Sequence, residues 1–156
     1  MCSARLPSLL FFIFLSCLSS SYALASAVVS EGYARATFPM AKTGAIYFSL
    51  ENPTQKTIHL SGVSTDATIA DDAQIHTTFL EGDVMRMREV KDGITLAPGD
   101  AVAFAPGGYH VMLLGLTKGL DEGGTVTLTL VFDDADDIVV TLPIKKDDKK
   151  AHHHHH

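Results

Sequence analysis

Glycine, proline, asparagine and aspartate punctuate this chain at short, even intervals, and the stretches between them are strand-length. Beyond the leading segment no window sustains an apolar i, i+3, i+4, i+7 pattern, so there is little from which to build helices. Strand signals recur instead, at residues 28–37, 44–50, 57–64, 75–80, 84–90, 93–96, 101–104, 109–115, 125–132 and 138–144. The clearest is 125–132, where Val126, Leu128, Leu130 and Phe132 share one side and Thr127 and Thr129 the other. Asn52-Pro53 stops the second segment, and Glu81-Gly82-Asp83 joins two others as a hairpin. About ten short strands with turn chemistry between them predict an all-β fold, a single-domain antiparallel sandwich or barrel with Greek-key connections. Strand spacing alone leaves immunoglobulin-like and cupredoxin-like topologies open.

The first 27 residues read differently. Arg5, the apolar stretch 9–18, a serine run and the small-residue end Ala23-Leu24-Ala25-Ser26-Ala27 fit a secretory signal cleaved near residues 25–27. The apolar run is too short and wrongly flanked for a membrane span. The alternative is a lipoprotein acylated at Cys17, although Phe14-Leu15-Ser16-Cys17 departs from the usual lipobox. Both cysteines, Cys2 and Cys17, fall in this segment, so the exported domain, residues 28–145, has no disulfide and must be held by its core. About 118 residues suffice for one.

Losing the leader removes Arg5 and no acid, leaving 11 basic side chains against 18 acidic ones and moving the formal charge from −6 to −7. A nucleic-acid binder needs a basic footprint, so that class is excluded. Residues 146–156 are charged and end in five histidines; such a tail is expected to be disordered, and is either an engineered tag or a natural accessory site for Cu(II).

Chemistry concentrates in Tyr109-His110-Val111-Met112. Residues two apart on a strand share a face, so an imidazole and a thioether project together. Upstream, His76 and the pair Met85 and Met87 offer the same donor types. Thioethers beside imidazoles suit soft Cu(I) better than a hard cation. Each residue also has a plainer reading. His110 is a packed histidine, Met112 core filler and His76 a surface histidine opposite Ile75. Met85 and Met87 face the core by simple alternation, with Arg86 and Arg88 facing water. His59, with no methionine nearby, and Met40, in a Phe-Pro-Met-Ala loop, carry no metal reading.

His76, ten residues, Met87, twenty-two residues, then His110-x-Met112 resembles the His-x(10)-Met-x(~21)-His-x-Met pattern of the PCuAC periplasmic copper chaperones. Gly108-Tyr109-His110-Val111-Met112-Leu113 is close to that family's most recognisable stretch. Ala45-Ile46-Tyr47-Phe48-Ser49-Leu50-Glu51-Asn52 and Gly82-Asp83-Val84-Met85-Arg86-Met87-Arg88 resemble it too, and the similarity covers about residues 30–143. The second spacer is one residue longer than the pattern, and Thr77 stands where many members carry an acid. The resemblance implies a cupredoxin-like β-sandwich, one Cu(I) per domain, and His76, Met87, His110 and Met112 as ligands. It makes Met85 a second-choice thioether packed behind the site. It implies a periplasmic carrier that hands copper toward the CuA centre of cytochrome oxidase subunit II or to a Sco-type protein.

A blue-copper electron carrier needs a cysteine thiolate, which residues 28–156 lack. A copper buffer or resistance protein would hold the same ion without a recipient. A non-metal sandwich for adhesion or assembly would be indifferent to copper. No Ser/His/Asp arrangement or paired acids at recognisable spacing point to an enzyme. The acids Asp133, Asp134, Asp136 and Asp137 read as a solvated loop.

Overall fold

The structure, a computed structural model, describes residues 26–146. Residues 1–25 of the expected leader, with both cysteines, and the histidines of the tail lie outside the described residues. Ten strands and no helix make up the described part. They are β1 (Val28–Arg35), β2 (Thr43–Glu51), β3 (Ile58–Thr65), β4 (Ala70–Glu81), β5 (Val84–Glu89), β6 (Ile94–Leu96), β7 (Ala101–Phe104), β8 (Tyr109–Leu116), β9 (Thr125–Phe132) and β10 (Ile138–Lys145). β4 begins five residues before its sequence signal. Asp71 and Asp72, poor strand formers, disguise that start, while Ala70 and Ala73 take the inward positions around them.

The strands follow the order β5-β4-β8-β7-β2-β1-β10-β9-β3-β6. β2 pairs with β8 through its first half and with β7 through its second, so β7 and β8 lie nearly end to end along it. Pairing is antiparallel as expected, with two exceptions. Phe104 meets Tyr109 in parallel, and the first and last strands meet in parallel through Ala34↔Ile144 and Arg35↔Lys145. That second seam joins a layer made of β5, β4, β8, β7, β2 and β1 to a layer made of β10, β9, β3 and β6. One core holds inward residues of both layers: Ile46, Phe48, Leu50, Ile75, Val111 and Leu113 from the first, Leu60, Val126, Leu128, Leu130, Leu142 and Ile144 from the second. The alternation read in 125–132 is the buried face of β9. The result is an all-β sandwich.

The turn that stops β2 is held by a buried amide. Asn52 is fully buried; its Nδ2 donates to the carbonyls of Lys56, Leu96 and Ala97 at 2.8, 3.0 and 3.1 Å. Its Oδ1 accepts from the N–H and hydroxyl of Thr54. One side chain thus ties β2 to the β6–β7 turn in the facing layer. Asn52→Ala would orphan several buried partners at once, and the expected loss is roughly 3 kcal/mol of unfolding free energy in a urea titration. A loss under about 0.5 kcal/mol, the scale of an ordinary surface change, would show that water replaces the amide.

The β4–β5 hairpin departs most from expectation. Glu81 pairs with Val84 across the two-residue turn Gly82-Asp83, and Gly82 has φ 63°, in the position where a type II′ turn requires glycine. β4 pairs with β8 only as far as Thr77↔Tyr109. Beyond that point the hairpin has no strand of the sandwich beside it, and all six residues of β5 are exposed. The alternation predicted for β5 holds, but Met85 and Met87 do not face the core: they are 57% and 58% exposed. Nor is Met85 packed behind anything. The opposite hairpin face carries an Arg86–Glu81 ion pair and Arg88 stacked 5.0 Å over Phe79.

Candidate metal centre

Register decides which donors meet. His76 on β4 lies directly across from His110 on β8, and Gln74 from Met112. On the other side of β4, Thr78 lies across from Met87 of β5. Directly opposite residues share a face. So His76, Met87, His110 and Met112 all stand on the outer face of their layer, while Ile75, Val111 and Leu113 between them fill the core. Met87, His110 and Met112 line one cleft of about 350 Å³ with Arg35, Thr37, Tyr47, Thr78, Pro106 and Gly107 among the other walls. His76 adjoins it: the two imidazole rings are 5.9 Å apart, tilted by 50°.

The hydrogen bonds around each imidazole leave one nitrogen bare. His110 Nδ1 lies 3.2 Å from the Gly108 carbonyl oxygen. A carbonyl only accepts, so Nδ1 carries the proton and Nε2 keeps its lone pair. The His76 tautomer is set by two neighbours on the same strand face, Asp72 and Gln74. The Asp72 carboxylate accepts from Gln74 Nε2 at 2.8 Å, which turns Gln74 Oε1 toward His76 Nε2 at 3.0 Å. His76 Nε2 therefore donates, and Nδ1 is left with a lone pair. That Nδ1 atom is buried and has no hydrogen-bond partner. A buried acceptor left unsatisfied is costly unless something else occupies it. An Asp–Gln–His chain that sets the tautomer is also the usual support behind a metal-binding imidazole.

Burial and then the neighbouring His110 push the His76 pKa below its ordinary value of 6.5, with Glu89 opposing weakly. The neutral, ligating form of His76 is favoured. His110 is only 5% exposed, with Tyr47 packed against it at 6.4 Å between ring centroids and Tyr33 tilted against Tyr47 at 5.3 Å. Burial and exposure are thus graded across the centre: His110 innermost, Met112 and His76 half-buried, Met87 open.

Among the described residues no three His, Cys, Asp or Glu side chains converge on a point that could hold a metal. The donors beside the two imidazoles on this face include the Met87 and Met112 sulfurs, which suit a soft ion. His59 stands apart, 3.0 Å from the Thr95 hydroxyl and beside Asp133, and Met40 is exposed on its loop. Residue-by-residue reading missed Gln74 and Tyr47 as supports. Gln74 had a signal, since it sits two residues before His76 and so on its face. Tyr47 had none, because only β2–β8 pairing brings it to His110.

Comparison with known proteins agrees with the resemblance carried by the residues. The family model for LpqE-like proteins, described as candidate lipoproteins, matches residues 27–144. A candidate lipoprotein of Leifsonia xyli subsp. xyli, Lxx21020, is 34% identical over 83 residues, covering 53% of this chain and 50% of its own. The chain spans about half the length of the curated relatives it matches. Among solved structures, the copper-bound PCuAC domain of PmoF2 superposes with a TM-score of 0.62 at 25% identity, over 80% of this chain and 97% of that one. The Cu(I) form of DR1885 from Deinococcus radiodurans gives 0.61 at 29% identity, over 83% and 85%.

Proposed function

This chain belongs to the LpqE-like family, and on that premise we propose that it is an exported, non-catalytic copper carrier. It holds one Cu(I) on His76, Met87, His110 and Met112 and passes the ion to another exported protein. The observation that carries this reading is the buried, unpartnered Nδ1 of His76 beside the His110 ring and a thioether-lined cleft. Two imidazoles and two thioethers satisfy a closed-shell ion of little geometric demand. Solved domains similar to this one include a copper-bound and a Cu(I) form, which supports the same ion here.

Thioethers do not titrate in the accessible range, and without a thiolate the centre avoids disulfide exchange in an oxidising compartment. Its weakness is methionine oxidation. A lip formed by an open hairpin leaves the ion within reach of a recipient. A recipient of CuA type, or a Sco-type protein, is the partner we assign, and export to the periplasm with a domain at residues 28–145 goes with it. Names of candidate lipoproteins among the relatives support export.

The test is a Cu(I) competition titration of the full chain and of the chain ended at Lys146, with thermal unfolding alongside. One tight equivalent should survive removal of the histidine tail. Copper at a thousandfold excess over Kd should add about 4 kcal/mol of stability through ligand linkage. Binding that vanishes with the tail, or a melting temperature indifferent to Cu(I), would reject the site. Transfer to an isolated apo CuA domain tests the recipient separately.

A further inference from the structure

Met85 is the one methionine of the hairpin with no place in the four-donor set, and packing does not explain it. It shares a face with Met87, one alternation step (about 7 Å) further toward the turn. It pairs with Leu80 beyond the last β4–β8 contact, and it is 57% exposed. A thioether on an unbranched side chain with three rotatable bonds can sweep most of such a gap. The donors therefore form a graded row on one face: Met85 and Met87 open, Met112 and His76 half-buried, His110 buried. Resting on the Cu(I) reading above, we infer that Met85 is an outer, transient ligand through which copper enters and leaves the centre.

The exchange balances without redox chemistry. On entry the Met85 sulfur donates a lone pair to Cu(I) as a donor atom of the delivering molecule departs with its own. The ion then takes up the Met87 sulfur, and the Met85–copper bond breaks as the inner donors close. Release runs in reverse. Every group this chain exchanges is a neutral two-electron donor, so copper stays Cu(I) and no proton moves on its side. Sharing the load between an outer and an inner sulfur avoids a step in which copper holds fewer donors than at rest.

Met85→Leu separates the sulfur from the apolar surface, since leucine keeps the bulk and loses the lone pair. Leu80→Ala does the converse on the facing strand. The full chain and both variants would be loaded anaerobically, and capture from and release to the chelator bathocuproine disulfonate followed by stopped flow. In Met85→Leu the equilibrium affinity should stay within about threefold, while capture and release both slow by about fivefold or more, together, because their ratio is the unchanged Kd. Leu80→Ala should leave both rates near those of the unsubstituted chain. In the fully loaded chain, ¹³C-methyl spectra should show Met87 and Met112 shifted and Met85 at its copper-free position. Unchanged rates in Met85→Leu would overturn the inference. So would a tenfold loss of affinity, which would make Met85 a resident ligand, or equal slowing by Leu80→Ala, which would make the patch a docking contact. An unsubstituted chain that binds no Cu(I) would instead sink the carrier reading, and this inference with it.

Discussion

Replacing His110 with alanine should weaken Cu(I) binding at least a hundredfold, about 3 kcal/mol of binding free energy. The size follows from how this imidazole is held. Its Nδ1 is fixed on the Gly108 carbonyl, its ring is covered by Tyr47, and it is 5% exposed. A donor already locked in place gives up little conformational freedom on binding, so its loss removes nearly the whole interaction. The substitution also empties a buried position. Met112→Leu is therefore the companion variant: it keeps the volume, removes only the sulfur, and should cost about tenfold with an apo melting temperature within a few degrees of the parent. Met40→Leu, on its exposed loop, should cost nothing. Competition titration against a Cu(I) chelator reads all three. Affinity retained in both His110→Ala and Met112→Leu would remove β8 from the centre.

The second large effect is with pH. Protons compete for imidazole and not for thioether, so affinity should be flat at neutral pH and fall as pH drops. Each histidine that titrates contributes up to about tenfold per pH unit. For His76 the fall begins late. Burial and the adjacent His110 hold its pKa below 6.5, so it stays neutral and ligating at mildly acidic pH, where an ordinary histidine is already half protonated. The same shift acts on the apo fold. A histidine whose folded pKa is depressed contributes stability above its unfolded value, and that stability is lost as pH falls through the folded one. Copper-free protein should thus lose stability from about pH 6.5 downward on account of His76, and His76→Ala should flatten that part of the profile. Affinity titrations and urea midpoints from pH 7.5 to 5 would test both. A profile of His76→Ala identical to the parent's would show that the acid sensitivity arises elsewhere.

Much of this was legible in residue order. Ten strand-length runs gave the fold class, and β9 was read to the residue because threonines mark its outer face so cleanly. β4 was half hidden, since its first residues include two exposed aspartates, of which Asp72 pairs with Leu114 of β8. The plainer, core-facing reading of the hairpin methionines fails for a different reason. Alternation states that Met85 and Met87 share a face; it does not state whether any layer lies over that face. Here none does, because Thr78 and Leu80, which pair with Met87 and Met85, share the outer face of the layer with His76, while Ile75 faces the core.

What residue order determines is parity: Gln74 with His76 and Thr78, Met85 with Met87, His110 with Met112, each set on one side of its own strand. What it leaves open is the register between strands, and register makes the centre. A slip of one residue would turn His110 toward the core and Val111 toward the cleft. No local rule links positions 76 and 110. They meet because Ile75, Val111, Leu113 and Ile46 bury best on the opposite face in one alignment alone, and the donors are carried into line by the packing behind them.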